Sequence, residues 1–289
     1  MKEKKSFIYG ISAVLLWSTV ATAFKLALRE LEVSQLLLIS SVVSFFVLLI
    51  IALISSDRRQ LFRQSSRDLA MSIIMGALNP FAYYLCLFAA YDRLPAQEAL
   101  SLNYSWAIAL ALLSVPLLKQ KLKLKGFLFL LLSFFGVVII AFRGDFTSAK
   151  FSDTLGVGLA LISSLIWALY WILNIRDARD TVVKLCTNFF FGSIFIIIYS
   201  AIIGKLNVPN ISGALAATYI GLFEMGIAFV LWLTALKNSK SNAKLSSLVY
   251  LSPFISLMLI ALILKEPIYI STLVGLVFIL TGIVLQKRV

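Results

Sequence analysis

The sequence has no histidine and only two cysteines, Cys86 and Cys186, in 289 residues. Each cysteine lies inside an apolar run, so the chain lacks both the ligands of a metal site and the cysteines of a disulfide framework. Charged residues are also scarce, at 13%, whereas 61% of the residues are hydrophobic and the mean hydropathy is +0.99. A soluble domain cannot cover so many apolar side chains with polar surface. We therefore expect a membrane protein that needs no metal ion, cofactor or redox chemistry.

The apolar residues occur in runs of about 20, the length of a helix that spans a bilayer. They do not alternate with polar residues as the strands of a membrane barrel do, and backbone groups in lipid must find partners within the protein. The sequence therefore predicts an all-α polytopic membrane protein with ten transmembrane helices and no soluble domain. The predicted spans are 6–28, 34–55, 68–91, 96–118, 126–143, 154–175, 181–203, 211–236, 242–264 and 268–286.

The net charge of +13 comes from Lys and Arg residues that cluster between the apolar runs. Charge in that position is typical of membrane topology signals rather than of nucleic-acid binding, so we expect lipids and no nucleic acid as partners. Of the 26 basic residues, nineteen lie in alternate connections or at the chain ends, six lie in the other connections, and Lys25 lies inside a helix. Because basic loops stay on the cytoplasmic side, we predict a cytoplasmic (inner) membrane protein with both termini cytoplasmic.

The sequence also repeats itself weakly. Residues 1–145 and 152–289 each contain five predicted helices, so the second repeat must enter the membrane in the opposite orientation. The charges agree, because the link with four lysines between residues 119 and 125 corresponds to a link with Lys265 alone. Aligned pairs are Trp17 with Trp167 at an offset of 150, Asn79 with Glu224 at 145, and Tyr104 with Tyr250 and Gly136 with Gly282 at 146.

Several motifs recur in a fixed order along essentially the whole chain. They are the Trp of the first helix of each repeat, the stretches 249–253 (VYLSP) and 264–267 (LKEP), and the closing residues 275–276 (GL) and 281–284 (TGIV). This pattern resembles the drug/metabolite transporter superfamily, specifically its ten-helix EamA-type permeases. The resemblance implies a secondary active transporter that works by alternating access on a small organic metabolite. We expect an amino acid or a related amine as cargo, with a nucleotide-derived or lipid-related metabolite as the alternative.

Glu224 is the most informative polar residue. It lies about 13 residues from either end of its predicted helix, or about 20 Å, and therefore near the bilayer midplane. A carboxylate there costs at least about 2.5 kcal/mol, so we predict that Glu224 faces a cavity and binds the positive group of the cargo or carries a proton. A protonated Glu that links helices by a hydrogen bond is the alternative.

Asn79 aligns with Glu224 and is followed by Pro80, which has no N–H to donate to the preceding turn. The pair predicts a kink that could expose a carbonyl to ligand or act as a gate. A plain kink, with Asn79 as an interhelical link, is the alternative. Pro253 in the ninth predicted helix is the second candidate gating point.

Aromatic residues complete the predicted site, because a site at the interface of two repeats draws on equivalent helices. Aromatic faces with one carboxylate suit an amine or another organic cation. The alternative is that these rings pack against lipid or form interfacial belts. The full predicted binding set is Glu224, Asn79, Trp17, Trp167, Tyr84, Tyr104, Tyr250 and Trp171.

Two other functional classes fit less well. An intramembrane enzyme needs a nucleophile with a base, paired carboxylates or a metal cluster, and the predicted spans offer a single acid at membrane depth. We therefore do not expect an enzyme. A channel-like facilitator is the remaining alternative, although the sequence has no Gly-rich filter and the duplication favours alternating access.

Overall fold

The computed structural model describes residues 2–54, 58–119, 122–145, 153–206, 210–238, 248–286 and 288. These residues form helices and connecting turns, with no strand among them. A single helical turn, Arg58–Leu61, follows the second long helix. The helices are α1 (Lys2–Leu28), α2 (Val33–Ile54), α3 (Ser66–Arg93), α4 (Ala96–Leu118), α5 (Leu124–Ala141), α6 (Thr154–Arg176), α7 (Thr181–Ile202), α8 (Ile211–Leu236), α9 (Leu248–Leu264) and α10 (Ile270–Gln286).

The length and composition of the helices match a polytopic membrane protein. In the described chain, helices α1 to α8 are long and apolar enough to cross a membrane, whereas α9 and α10 are shorter apolar helices. The prediction of an all-helical multi-pass protein is confirmed. Ten spans would require the two shorter helices to cross the membrane as well, so that number stays a prediction. Residues 242–247 of the predicted ninth span lie outside the described residues.

Polar side chains define where several helices begin. Ser65 and Asp68 form a capping box at the start of α3. Asp153, Asp180 and Asn210 each accept hydrogen bonds from backbone N–H groups in the first turns of α6, α7 and α8. These side chains satisfy N–H groups that have no partner within their own helix. The breaks between apolar runs in the sequence therefore correspond to capped helix ends.

The helices form two compact units. Unit 1 comprises Met1–Phe81 and Ala178–Leu259, and unit 2 comprises Ala82–Asp177 and Ile260–Val289. The division falls inside α3 and inside α9, so neither unit coincides with one half of the sequence. The repeat boundaries, 1–145 and 152–289, stay a prediction.

Within unit 1, glycines allow close helix contacts at two places. A Cβ on Gly76 of α3 would lie 2.5 Å from the carbonyl oxygen of Asn188 in α7. A Cβ on Gly221 of α8 would likewise lie 2.5 Å from the carbonyl oxygen of Ser40 in α2. Small residues of this kind let membrane helices approach backbone to backbone.

Within unit 2, α5 and α10 pack in the same way. Gly136 of α5 contacts the carbonyl oxygen of Gly275, and Gly282 of α10 contacts Ser133. The Ser133 hydroxyl also donates a 3.0 Å hydrogen bond to the carbonyl oxygen of Ile279. The contact combines van der Waals packing with an interhelical hydrogen bond, the two forces that hold helices together in lipid.

Candidate functional site

The regular helix of α3 is interrupted near its middle, at a π-helical segment spanning Ala77–Ala82. Asn79 in this segment has φ −146° and ψ 120°, which is extended rather than helical backbone. The Asn79 side chain is 0% exposed, and neither its oxygen nor its nitrogen has a hydrogen-bond partner among the described residues. The kink that Pro80 predicts is therefore present, and its use as a gate stays a prediction.

α8 contains a second π-helical segment, Ile220–Ile227, and Glu224 lies within it with intermediate exposure. Gly221 and Gly226, on either side of Glu224, pack against Ser40 and Val47 of α2. Insertions of π-helical geometry in long helices occur frequently at functional sites. The two polar residues selected from the sequence thus lie in the irregular segments of two helices whose sequences align.

Aromatic and hydroxyl side chains surround α1 in unit 1. The ring of Trp17 lies 6.2 Å from that of Phe229 and 5.5 Å from that of Trp232, both on α8. The hydroxyls of Thr19 on α1 and Tyr219 on α8 are 2.8 Å apart, at another contact between the same two helices. Sequence reasoning did not select Thr19 or Tyr219. The sequence feature that could have identified them is a polar side chain close to Trp17 or Glu224 within an otherwise apolar helix.

Unit 2 contains a compact aromatic cluster centred on Trp167. Its ring stacks on Tyr83 at 4.5 Å and on Tyr170 at 5.7 Å, and meets Trp171 edge-on at 5.7 Å. Tyr84, which is completely buried, packs edge-on against Tyr83 at 4.7 Å. Three predicted residues, Tyr84, Trp167 and Trp171, are therefore brought together. Tyr83 was missed, although it follows the predicted kink by only three residues.

The predicted site residues divide between the two units. Tyr104 lies where the first part of α4 ends, with intermediate exposure. Pro253 lies in the first α-helical turn of α9, directly after the 3-10 turn Leu248–Leu251, where a proline is well tolerated. Unit 1 contains Trp17, Asn79, Pro80, Glu224, Tyr250 and Pro253, and unit 2 contains Tyr84, Tyr104, Trp167 and Trp171.

Comparison with known proteins decides the family. The family described as EamA-like transporter family matches residues 4–142 and 154–286, nearly the whole chain. The chain belongs to the EamA-like transporter family. The resemblance to the drug/metabolite transporter superfamily is thereby confirmed, and this EamA-like protein is a multi-pass membrane protein of a transporter family rather than of an enzyme family.

Individual relatives of this EamA-like protein are similarly described. An uncharacterized transporter of Clostridium kluyveri is 24% identical over 98% of this chain and 93% of its own length. An uncharacterized transporter of Archaeoglobus fulgidus is 24% identical, covering 99% of this chain and 98% of the relative. The uncharacterized transporter YvbV of Bacillus subtilis is 26% identical, covering 74% of this chain and 70% of the relative. One crystal structure, 20% identical, superposes with a TM-score of 0.70 over 99% of this chain and 97% of that chain, which shows likeness of fold.

Sequence reasoning missed the polar face of α7 in this EamA-like protein. Lys184, Thr187 and Asn188 are all buried, with Lys184 6% and Asn188 0% exposed. Their spacing of three and four residues places them on one side of the helix. That spacing is visible in the sequence as polar residues inside an apolar span.

A polar network joins helix ends in unit 2. Glu98 at the start of α4 is 1% exposed and forms a 2.5 Å ion pair with Arg143, whose guanidinium lies 5.1 Å from the ring centre of Tyr269. The side chain of neighbouring Gln97 donates to the carbonyl of Pro267 at 2.7 Å and accepts from the N–H of Tyr269 at 2.8 Å. The start of α4 is thus tied to the end of α5 and to the link before α10.

A second ion pair of unit 2 joins Arg93 at the end of α3 to Asp153 before α6, at 3.1 Å. A hydrogen bond from Arg93 and, to a smaller extent, one from the Gly156 N–H hold the pKa of the Asp153 carboxyl below its usual value. Both side chains are partly exposed, so solvent screens the pair. In the described parts of the chain, no three carboxylate or thiol groups cluster in a way that could hold a metal ion.

Proposed function

We propose that this EamA-like transporter is a secondary active carrier in the cytoplasmic membrane, with both termini cytoplasmic. It moves a small organic metabolite, an amino acid or a related amine, by alternating access. The observation that carries this proposal is that α3 and α8 are both irregular near their middle, with a kink at Asn79 in α3 and a π-helical segment around Glu224 in α8. Carriers often place their binding residues where membrane helices lose regular structure.

The proposal includes ten membrane helices arranged as two inverted repeats. The contacts between α5 and α10 support this arrangement, because the repeat offset of 146 converts the contact positions of α5 into those of α10. Residues 129, 133 and 136 of α5 become 275, 279 and 282 of α10. Gly136 contacts Gly275 and Ile279, whereas Gly282 contacts Phe129 and Ser133. The residues that Gly136 contacts in α10 are the aligned counterparts of the residues that Gly282 contacts in α5. A two-fold relation between the repeats explains this exchange.

Helix ends and aromatic contacts give independent support for the repeats. Lys119 after α4 and Lys265 after α9 align at the same offset, and both have left-handed backbone, with φ of 55° and 57°. Trp17 of α1 packs on Phe229 of α8, and its counterpart Trp167 of α6 packs on Tyr83 of α3. In both cases the first helix of one repeat meets the third helix of the other.

Glu224 binds the positive group of the cargo or carries a proton through the cycle. A carboxylate in the middle of a long apolar helix is stabilised when substrate or proton neutralises its charge. The aromatic clusters around Trp17 and Trp167 suit an organic cation, because ring faces attract ammonium groups.

The first test identifies the cargo. Purified protein is screened by thermal shift against pools of amino acids, amines, nucleosides and lipid precursors, because a true ligand stabilises by RT ln(1 + [L]/Kd). Counterflow in proteoliposomes then distinguishes a carrier from a channel-like facilitator. Only a carrier gives transient accumulation of labelled cargo against excess unlabelled cargo. Stabilisation by nucleosides or lipid precursors alone would overturn the proposed cargo class.

The second test is Glu224→Gln, with Glu32→Gln as the matched control. Glu32 is an exposed carboxylate that pairs with Lys205 at 2.7 Å, so its loss should leave transport unchanged. If Glu224 carries the proton, the amide abolishes pH-driven accumulation while exchange persists, because Gln hydrogen-bonds but does not titrate. If Glu224 binds the cation, cargo affinity itself falls. Wild-type affinity and wild-type pH-driven accumulation in Glu224→Gln would contradict both roles.

A further inference from the structure

In unit 1, α3 and α7 meet along one face of each helix. The Ser72 hydroxyl lies 2.9 Å from that of Thr187, and a Cβ on Gly76 would lie 2.5 Å from the carbonyl oxygen of Asn188. Residues four apart on a helix share a face. The face that we call the α3–α7 seam consists of Ser72, Gly76 and Pro80 on α3, with Asn79 directly before Pro80, and of Lys184, Asn188 and Gly192 on α7.

Two buried amides in this seam have no hydrogen bonds. Asn79 and Asn188 are both 0% exposed, and none of their four side-chain polar atoms has a partner among the described residues. Buried polar groups in native proteins are almost always hydrogen-bonded. A role as interhelical links would require such bonds. The amides therefore offer N–H and C=O groups to a guest rather than to a neighbouring helix.

The sign of the nearby charge selects the guest. Lys184 is 6% exposed and lies one turn before Asn188, and Arg179 donates a 2.8 Å hydrogen bond to Ser72. The nearby carboxylate of Asp180 instead accepts hydrogen bonds from the first N–H groups of α7. The carboxylate of Asp68 accepts hydrogen bonds from the backbone N–H and the hydroxyl of Ser65. Lys184 and Arg179 thus bring positive charge to the seam, and the N-terminal end of α7 is positive as well.

We propose that the α3–α7 seam is a binding site for a small anionic group, a halide ion or a carboxylate. The Asn79 and Asn188 amides donate hydrogen bonds to it, and Lys184 and Arg179 supply the favourable potential. A metal cation is repelled by the same two side chains. The site shares Asn79 with the predicted cargo-binding set, but it does not depend on the cargo class proposed above.

The test measures thermal unfolding of the purified protein at constant ionic strength. Sodium HEPES, whose anion is a large organic sulfonate, is replaced stepwise by sodium chloride or sodium acetate. We expect a saturable rise in Tm with the small anions. A response to both identifies a general anion site, and a response to acetate alone identifies a carboxylate site.

Variants of similar size test whether these side chains bind the anion. Asn188→Asp replaces the amide donors with a negative charge, so the anion-dependent rise should disappear, and Lys184→Gln should weaken the anion at least tenfold. Asn103→Asp is the control, because this unit 2 amide already donates to Ser163 at 2.9 Å. Asn103→Asp should keep the anion response.

Three outcomes would overturn the proposal. They are the lack of any small-anion response in the wild type, a response that survives unchanged in Asn188→Asp, and a response that is lost to the same extent in Asn103→Asp. A last measurement guards against misfolding. In sodium HEPES, Asn188→Ala should unfold no earlier than wild type, because it removes buried groups that have no partner. A clear fall in its Tm would show that Asn188 is a structural link.

Discussion

α5 and α10 are so close at Gly136 that alanine has no room there. A Cβ on Gly136 would lie 2.9 Å from both the Ile279 nitrogen and the Phe278 Cβ, and closer still to the Gly275 carbonyl oxygen. Two of these atoms belong to the backbone, so no side-chain rotation relieves the overlap and one helix must move. Overpacking costs about 1–3 kcal/mol, and a backbone clash belongs at the upper end. Alanine recovers about 1 kcal/mol through its helix propensity. We therefore expect Gly136→Ala to destabilise by about 2 kcal/mol.

The assay is thermal unfolding in detergent, followed by tryptophan fluorescence and by the fraction still monodisperse after heating. For chains of roughly this size, 1 kcal/mol shifts Tm by about 2–4 °C, so Gly136→Ala should lower Tm by about 4–8 °C. Gly158→Ala is the matched control, because a Cβ there meets nothing within 4 Å. Gly282→Ala, at the aligned position of α10, should behave like Gly136→Ala. If Gly136→Ala is as harmless as Gly158→Ala, the packing argument is wrong.

Two further predictions concern the ion pairs of unit 2. Arg143→Ala removes the ion partner of the buried Glu98 carboxylate, and we expect the free energy of unfolding to fall by about 1.5–3 kcal/mol in the same assay. The double variant with Glu98→Ala should lose less stability than the sum of the two single variants. Asp153 has a lowered pKa in the folded protein, so its contribution to stability is present above the unfolded pKa of about 3.9 and disappears as the pH falls below it. Asp153→Asn should therefore flatten the dependence of Tm on pH between about 3 and 5, and an unchanged pH profile would show that the pair with Arg93 does not stabilise the fold.

Much of the fold could be predicted from local properties of the chain. The spans follow from uninterrupted apolar runs, because lipid leaves a helix as the simplest way to satisfy a backbone in a run of that length. The predicted starts at 154 and 211 agree with the starts of α6 and α8, which the side chains of Asp153 and Asn210 cap. The kink at Pro80 followed from its missing N–H. α9 differed most in its described part, which opens with the 3-10 turn Leu248–Leu251 instead of a regular α-helical turn.

The candidate site was less predictable, since its residues come from distant parts of the chain. Glu224 and Asn79 stand out in a sequence because charge and amide groups are rare in apolar runs. Asn188 did not stand out, and it matters only because Gly76 brings α3 against it, 112 positions away in the chain. Tyr83 was equally inconspicuous until it stacked on Trp167.

The sequence by itself determined that the chain is helical and belongs in a membrane, because the length and composition of apolar runs are local properties. Only the tertiary structure decided which polar groups are hydrogen-bonded and which are not. Ser133 and Asn188 look alike as isolated polar residues in apolar helices. The Ser133 hydroxyl reaches the carbonyl oxygen of Ile279, whereas the Asn188 amide reaches no partner in the described chain. That difference arises from how neighbouring helices align and how closely glycines let them approach, and neither quantity is a property of one segment alone.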